Sequence, residues 1–370
     1  MTKQLKTCVY AIALNEIKHV DAFIQSCSGA DLVLVCDTGS TDGTPERLRE
    51  LGATVWDITQ RPWRFDVPRN TALSLIPEWV DVCLSIDLDE HLQPGWVEAL
   101  NAAWVASDGK QTRFAYDYIW SWMSDGVTPD VRFNTDKIHH RRGYRWRHPC
   151  HETLYWEGDG PERSGLVDGL VLHHRPDPTK SRSQYLPLLK MAVDEAPTND
   201  RMAHYYAREL MFHGEYPTAI REFERHLALP TSTWREERCA SMRYLAKCHT
   251  ALERNADAIG WAHRAVLEWS AGREPWLDLA LTAYRSSEYA TGFWAVQQLL
   301  AITTRTTSYM GNGACWGAEP YDIGAICAYH LGLYGKAVEW GTTACELSND
   351  ERMRNNLTFY KLLVEQSSDK

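Results

Sequence analysis

The stretch Asp31-Leu-Val-Leu-Val-Cys36 runs directly into Asp37-Thr-Gly-Ser-Thr-Asp42-Gly-Thr44, and it decides the fold. The apolar run predicts a short, buried parallel strand. A helix is predicted to begin at Thr44-Pro45, after the loop rich in aspartate and glycine. The same order of strand and helix recurs across residues 9–86, which is typical of a doubly wound α/β domain with a mainly parallel sheet.

The next segment, residues 112–174, has a different pattern. Shorter strands are predicted over 114–120, 130–138, 143–147 and 166–173, separated by loops rich in Gly, Pro and Asp. We expect this segment to extend the sheet and to cover the edge at which open α/β sheets bind ligands.

After about residue 180 the pattern becomes helical and repetitive. Gly214-Glu-Tyr216-Pro-Thr-Ala219-Ile220 matches Gly332-Leu-Tyr334-Gly-Lys-Ala337-Val338, and Ala258 and Ala295 take similar places, at spacings of 39, 37 and 42 residues. Such a period predicts a solenoid of helical hairpins, most similar to a lengthened tetratricopeptide repeat. The alternative is a non-repeating helical bundle. The predicted domains are residues 1–197 and 198–370.

Composition excludes several classes of protein. The chain has 370 residues, 44% of them hydrophobic and 24% charged, so it is neither disordered nor collagen-like. No apolar run is long enough for a membrane helix, and the first one is too short for a signal peptide. None of the ten cysteines forms a C-x-x-C pair, so we expect buried, reduced thiols in a cytoplasmic protein. The net charge of -10 argues against a dedicated nucleic-acid binder.

A pair of acids ends the fourth predicted strand, in Ser85-Ile-Asp87-Leu-Asp89-Glu90. Residues i and i+2 of a strand point the same way, so Asp87 and Asp89 place two carboxylates on one side, which is costly unless a cation joins them. Mg²⁺ and Mn²⁺ accept such oxygen ligands, often together with substrate phosphates. The pair therefore predicts a metal held against a diphosphate.

Four motifs together give the chain a family resemblance. Ala13-Leu-Asn15-Glu16, the Asp37–Thr44 loop, Phe65-Asp-Val-Pro-Arg69-Asn70 and Ile86-Asp87-Leu-Asp89-Glu90 follow one another in the order found in family 2 glycosyltransferases with the GT-A fold. The resemblance covers about residues 7–195, and the repeat-bearing tail is similar to a helical extension that some members carry.

The resemblance implies a nucleotide-diphosphate sugar donor, most often a UDP-sugar. Asp37 would accept a hydrogen bond from the base. The other implied donor-binding residues are Ala13, Asn15, Glu16, Asp66, Arg69, Asn70, Asp87 and Leu88. Asp89 and Asp87 would hold Mn²⁺ or Mg²⁺. The alternatives are turn chemistry for Asp37 and Asp42, and a solvated helix face for Arg69.

His173 and His174 close the last predicted strand, and the resemblance implies that a histidine here completes the metal shell or touches the diphosphate. Successive strand residues face opposite sides, so only one of them should point at the metal. We favour His173, because His174 precedes Arg175-Pro176 and is expected to turn outward. Lys180, Arg182 and Tyr185 follow and are predicted to neutralise the leaving diphosphate, although a solvated helix start is the alternative.

An inverting transferase also needs a base for the acceptor. Glu152 matches the family's carboxylate loosely, His151 is the second candidate, and simple pairing of Glu152 with Arg145 or Arg147 is the alternative. The window 132–151 holds six Lys or Arg and one acid. It is interpreted as balancing the acidic site, contacting the diphosphate or an acidic acceptor, or contacting DNA.

The sequence therefore leaves three functions open. The first is a metal-dependent inverting glycosyltransferase whose acceptor is a peptide, a protein or a glycan. The second is a glycosyltransferase that acts on a modified base in DNA. The third is an inactive sugar-nucleotide-binding scaffold. The repeat surface is expected to bind a peptide, a protein or a second copy of the chain, and no membrane partner is expected.

Overall fold

The computed structural model describes residues 5–123, 126–177 and 183–368. The chain divides into two compact units, Met1–Ala192 and Val193–Lys370. The first unit is α/β and the second is entirely helical among its described residues. No described helix is both long enough and apolar enough to span a lipid bilayer.

The described part of the first unit contains ten strands and the start of its fifth helix. The strands are β1 (Thr7–Ala13), β2 (Leu32–Asp37), β3 (Thr54–Asp57), β4 (Val82–Ser85), β5 (Glu90–Leu92), β6 (Arg113–Trp122), β7 (Pro129–His140), β8 (Tyr144–Arg147), β9 (Thr153–Trp156) and β10 (Ser164–His174). The helices are α1 (Ile17–Ser26), α2 (Thr44–Glu50), α3 (Asp66–Leu75), α4 (Trp96–Ala106) and α5 (Tyr185–Glu195).

Eight of these strands form one sheet in the order β3-β2-β1-β4-β7-β6-β10-β5. Strands β1 to β4 pair in parallel, β7 is antiparallel to both of its neighbours, and β6 is parallel to β10. The predicted α/β class is confirmed. One expectation is wrong, because β8 does not extend this sheet but pairs with β9 in a separate two-stranded sheet.

The parallel strands β1, β2 and β4 are largely buried on both faces, which explains their continuous apolar sequences, whereas the edge strand β3 is mostly exposed. Alternate residues of β1 enter different cores, since Val9 and Ala11 belong to one apolar cluster whereas Cys8 and Tyr10 belong to the other. This two-sided burial fixes the strand ends, and with them the loops that carry the polar motifs. All ten cysteines are free thiols and nine are buried, as predicted.

The second unit consists of helices joined as antiparallel pairs. Its helices after the domain boundary are α6 (Asp200–Phe212), α7 (Tyr216–Ala228), α8 (Arg235–Ala251), α9 (Asn255–Glu268), α10 (Glu274–Arg285), α11 (Tyr289–Ala301), α12 (Glu319–His330), α13 (Tyr334–Leu347) and α14 (Glu351–Ser368), with a one-turn 3₁₀ helix at Gly313–Trp316. Helices α6 to α13 pack as four successive hairpins, which confirms the predicted helical repeats.

One repeat position needs correction. The fourth residue of the second helix is Ala219, Ala258 and Ala337 in three hairpins, but it is Gly292 in the third hairpin, and Ala295 lies one turn later. Only glycine fits there without movement, because a Cβ would lie 2.8 Å from Sγ of Cys327. The long connection 302–318 follows in the same repeat and explains the irregular spacing.

Candidate functional site

Two loops meet where β1 and β2 end. The backbone N–H of Asn15 donates to Oγ of Ser40 at 2.8 Å, and Oδ1 of Asn15 accepts from the N–H of Thr41 at 2.8 Å. Asp37 is buried, and its Oδ2 accepts from the N–H groups of Gly39 at 3.0 Å and Ser40 at 2.8 Å. The turn chemistry proposed for Asp37 is therefore present. A contact with a base stays a prediction.

Hydrogen bonds of Thr44, at the start of α2, connect the same two loops. Oγ1 of Thr44 accepts from the N–H of Glu16 at 2.8 Å and donates to Oδ1 of Asp42 at 2.6 Å. Burial alone would raise the pKa of Asp42, but hydrogen bonds from Thr44 and from the N–H of Ile17 lower it overall. Ala13 is buried at the end of β1, opposite Asp37. Asn15 and Asp37 thus sit on a rigid platform.

Arg69 lies between two carboxylates. It is 5% exposed on α3, where its Nη2 contacts Asp87 Oδ1 at 2.8 Å and Oδ2 at 3.1 Å. Its Nε donates to Oε1 of Glu152 at 2.5 Å. Burial alone would lower the pKa of Arg69, but the two nearby carboxylates raise it overall. Arg69 therefore does not occupy a solvated helix face, and it joins two predicted site residues that are 65 positions apart in sequence (152 − 87).

Lys137 is a site residue that the sequence analysis missed. Its Nζ lies 3.2 Å from Oε1 of Glu90 and 3.9 Å from Oδ2 of Asp87. Tyr118 donates its hydroxyl to Oε1 of Glu90 at 2.6 Å, and the N–H of Asp87 donates to Oε2 at 2.9 Å. Burial alone would raise the pKa of Asp87, but Arg69 and Lys137 lower it to about 2. Asp87 is thus an anion whose charge the protein itself balances.

Asp89 has a different partner. Its Oδ2 lies 3.5 Å from Nε2 of His174, a 9% exposed residue at the end of β10. The other ring nitrogen of His174, Nδ1, lies 2.9 Å from the carbonyl of Trp120, so we assign the N–H to Nδ1. Burial alone would lower the pKa of His174, but Asp89 and the Trp120 carbonyl raise it overall.

The expectation that His174 turns outward is wrong, and His173 as the metal-facing residue stays a prediction. The His173 ring packs edge-on against Trp122 at 5.2 Å, and burial together with Arg175 lowers its pKa. His174 does not turn outward before Arg175-Pro176, because its ring stacks on Trp120 and its Nδ1 is bonded there.

The donor atoms at this edge suit a metal that arrives with its substrate. Asp89 offers an oxygen and His174 a nitrogen with the opposite ring position already bonded, which is how metal-binding histidines are oriented. Within the described ranges, no group of three or more His, Cys, Asp and Glu is arranged to hold a metal ion. Mg²⁺ and Mn²⁺ commonly bind to one or two protein groups plus substrate phosphates, so these two residues fit that chemistry.

Other predicted donor-binding residues have partners inside the protein. Asp66 is paired with Arg64 at 2.7 Å. The amide of Asn70 donates to the carbonyl of Trp146 at 2.8 Å and accepts from its N–H at 2.9 Å. Leu88 is 1% exposed in the core. These contacts give all three residues a structural role, and their contact with a donor stays a prediction.

The structure also describes the base candidates His151 and Glu152 and the donor-side candidate Tyr185. Tyr185 stacks on His151 with ring centroids 5.7 Å apart and on Phe65 at 6.3 Å. The alternative pairing of Glu152 with Arg145 or Arg147 is wrong, since Glu152 pairs with Arg69. Lys180 and Arg182 lie outside the described residues.

Carboxylates neutralise most of the basic window. The pairs are Arg132–Asp117, Lys137–Glu90, Arg142–Glu78 and Arg147–Glu157. Arg141 donates instead to the carbonyl of Ile76. These partners favour the interpretation of the window as local charge balance.

Comparison with known proteins identifies a sequence relative. No known family profile matches the chain. The chain is 28% identical over 186 residues to the lipopolysaccharide core biosynthesis glycosyltransferase LpsC of Rhizobium meliloti (strain 1021), a match that covers 48% of this chain and 66% of that protein. The chain therefore spans slightly less than two thirds of the relative that it matches.

Similar solved structures include a TPR protein and MamA. TTC0263, a thermophilic TPR protein of Thermus thermophilus, is 17% identical over 48% of this chain and 89% of that one, with a TM-score of 0.35. MamA from Desulfovibrio magneticus RS-1 is 14% identical over 45% of this chain and 85% of that one, with a TM-score of 0.36. Similarity at this level supports no argument about function.

Proposed function

We propose that the chain is a metal-dependent, inverting glycosyltransferase that uses a nucleotide-diphosphate sugar, with a UDP-sugar as the favoured donor. One observation carries the proposal. Of two acids at one strand end, Asp87 is neutralised by Arg69 and Lys137, whereas Asp89 faces the oriented Nε2 of His174. The sequence similarity to a glycosyltransferase supports the same chemistry.

The donor would lie along the carboxyl ends of β1, β2 and β4, where open α/β sheets bind ligands. The platform of Asn15 and Asp37 would hold the base and ribose. The fixed position of Asp37 favours this, because a pre-organised acceptor binds a base N–H with little loss of entropy.

Asp89 and His174 would hold Mn²⁺ or Mg²⁺, which when bound stabilises charge on the diphosphate. The protein's own contribution is to keep Asp87 ionised and in place through Arg69. Lys137 adds a second positive charge beside Asp87, 3.9 Å from its Oδ2. Fixed charges of this kind stabilise developing negative charge without reorganisation during the reaction.

We propose Glu152 as the base, with His151 as the alternative. Arg69 holds Oε1 of Glu152, and Oε2 has no hydrogen-bond partner among the described residues. Arg69 would thus orient the carboxylate while leaving Oε2 to accept the acceptor proton. In a single displacement the acceptor atom bonds to the anomeric carbon as the bond from that carbon to the diphosphate oxygen breaks. The electron pair of that bond leaves with the diphosphate.

A screen of donors tests this function. The purified chain is incubated with UDP-, GDP- and dTDP-sugars, with and without Mn²⁺, and nucleoside diphosphate release is measured. Release from one donor that requires the divalent ion is the expected result. Binding of a donor without any release would favour the inactive scaffold.

A further inference from the structure

Trp120 lies at an irregular point of β6, beside the proposed metal ligands. Ile119 pairs with Arg132 of β7, but Ser121 pairs with Val131, so Trp120 is an extra residue in the ladder. Such bulges re-aim side chains and are common next to active sites. The preceding residues of this face, Tyr116 and Tyr118, are buried, whereas Trp120 is 47% exposed.

The indole ring has one covered side. It stacks on the ring of His174, with centroids 4.5 Å apart and planes 20° from parallel. His174 in turn faces Asp89. An exposed indole therefore stands within one imidazole ring of the atoms that we assign to the metal, at the edge of the sheet where the transfer would take place.

The charges around Trp120 favour a neutral ligand over a polyanion. Two cations lie near this end of the strands: Arg132 of β7 is paired with Asp117, and Arg175 lies over the ring of Trp122 and donates to the carbonyl of Gly126. Nucleic-acid binding depends on cations that can replace the counterions of phosphates. The C–H face of a pyranose needs no such charge, because it packs on an indole through apolar contact while its hydroxyls meet polar groups at the rim.

We propose that Trp120 is the platform on which the acceptor binds, and that the acceptor is a saccharide which stacks one pyranose ring on the indole. The proposal rests on the glycosyltransferase function proposed above. A hydroxyl oxygen of this saccharide then bonds to the anomeric carbon of the donor. The bond to the diphosphate breaks, and the hydroxyl proton goes to Glu152.

The test compares Trp120→Ala and Trp120→Phe with the control Trp79→Ala. Trp79 is 50% exposed and precedes β4, at the opposite end of that strand from Asp87. All the variants keep the backbone carbonyl that holds His174. With a donor that the wild type hydrolyses, three acceptor probes are supplied: methyl glycosides of glucose, galactose, mannose and N-acetylglucosamine with their β-linked disaccharides, a peptide mixture containing Ser, Thr, Asn and Cys, and single-stranded DNA.

The expected product is a glycosylated saccharide, identified by mass spectrometry. Trp120→Ala should raise the KM for that saccharide about tenfold, while Trp120→Phe and Trp79→Ala change it less than about threefold. The proposal is overturned by transfer to peptide or DNA alone, by the absence of saccharide transfer despite donor hydrolysis, or by an unchanged KM in Trp120→Ala. A wild type that hydrolyses no donor would instead overturn the proposed function, and this proposal with it.

Discussion

Asp87 and Asp89 are two residues apart, yet their side chains have different partners: Arg69 contacts the first at 2.8 Å, and His174 lies 3.5 Å from the second. Asp87 therefore has a cation of the protein as its partner, whereas Asp89 lies beside the oriented imidazole of His174.

Arg69→Met should destabilise the first unit. The change leaves Asp87 and Glu152, whose side chain is 10% exposed, without their shared cation, and breaking such a pair costs about 3 kcal/mol. Urea unfolding at pH 7 measures the loss. Arg47→Met is the matched control, because Arg47 and Asp21 form an exposed pair worth less than about 1 kcal/mol. Equal losses of unfolding free energy in the two variants would show that the Arg69 pairs stabilise the fold no more than an exposed ion pair does.

His174→Ala and His173→Ala should differ in metal binding. Removing His174 deletes the nitrogen that faces Asp89, so the affinity for Mn²⁺ in the presence of nucleoside diphosphate should fall about tenfold or more. His173 packs on Trp122 and its loss should change the affinity less than about threefold. Calorimetric titration measures both, and the reverse order would restore the sequence-based preference for His173.

Glu152→Gln should reduce transfer without abolishing donor binding. Gln keeps an oxygen that can accept from Arg69, but it cannot take up the acceptor proton, so kcat should fall about 100-fold or more. His151→Gln should have a smaller effect. Steady-state kinetics with a saccharide acceptor give the two values. A larger fall in His151→Gln would assign the base to His151.

Gly324→Ala and Gly260→Ala should shift the stability of the helical unit in opposite directions. A Cβ at Gly324 would lie 2.6 Å from Cε3 of Trp340 and 2.8 Å from Cγ1 of Val296, so alanine should cost about 1–3 kcal/mol. At the exposed Gly260 nothing lies within 4 Å, and alanine should add about 0.5–1 kcal/mol. Thermal unfolding followed by circular dichroism tests both. Stabilisation by Gly324→Ala would show that this helix crossing is loosely packed.

Local patterns were sufficient for much of the fold. The continuous apolar sequence of β2 and the i, i+2 spacing of Asp87 and Asp89 need only local geometry, and both placed the candidate site at a strand end. Lys137 could not be found in this way. It reaches Asp87 only because β7 runs antiparallel beside β4, and no feature of the sequence near Lys137 reports that pairing.

The misses have similar causes. Trp120 is extra in the ladder, so the alternation of β6 did not indicate its direction. That displaced residue also supplies the carbonyl and the ring which hold His174 inward, and the expectation that His174 turns outward is therefore wrong. In the repeats, a fixed spacing selects Ala295 in place of Gly292, because the long connection 302–318 makes the distance to the next repeat irregular.

The most direct test of the central claim is nucleoside diphosphate release by the wild type, Asp89→Asn and the control Asp168→Asn, an exposed aspartate on β10. With a sugar-nucleotide donor and Mn²⁺, the wild type and Asp168→Asn should release the diphosphate at similar rates, and Asp89→Asn should be slower by about 100-fold. Equal rates in the wild type and Asp89→Asn, or no release by the wild type from any donor tested, would contradict the account.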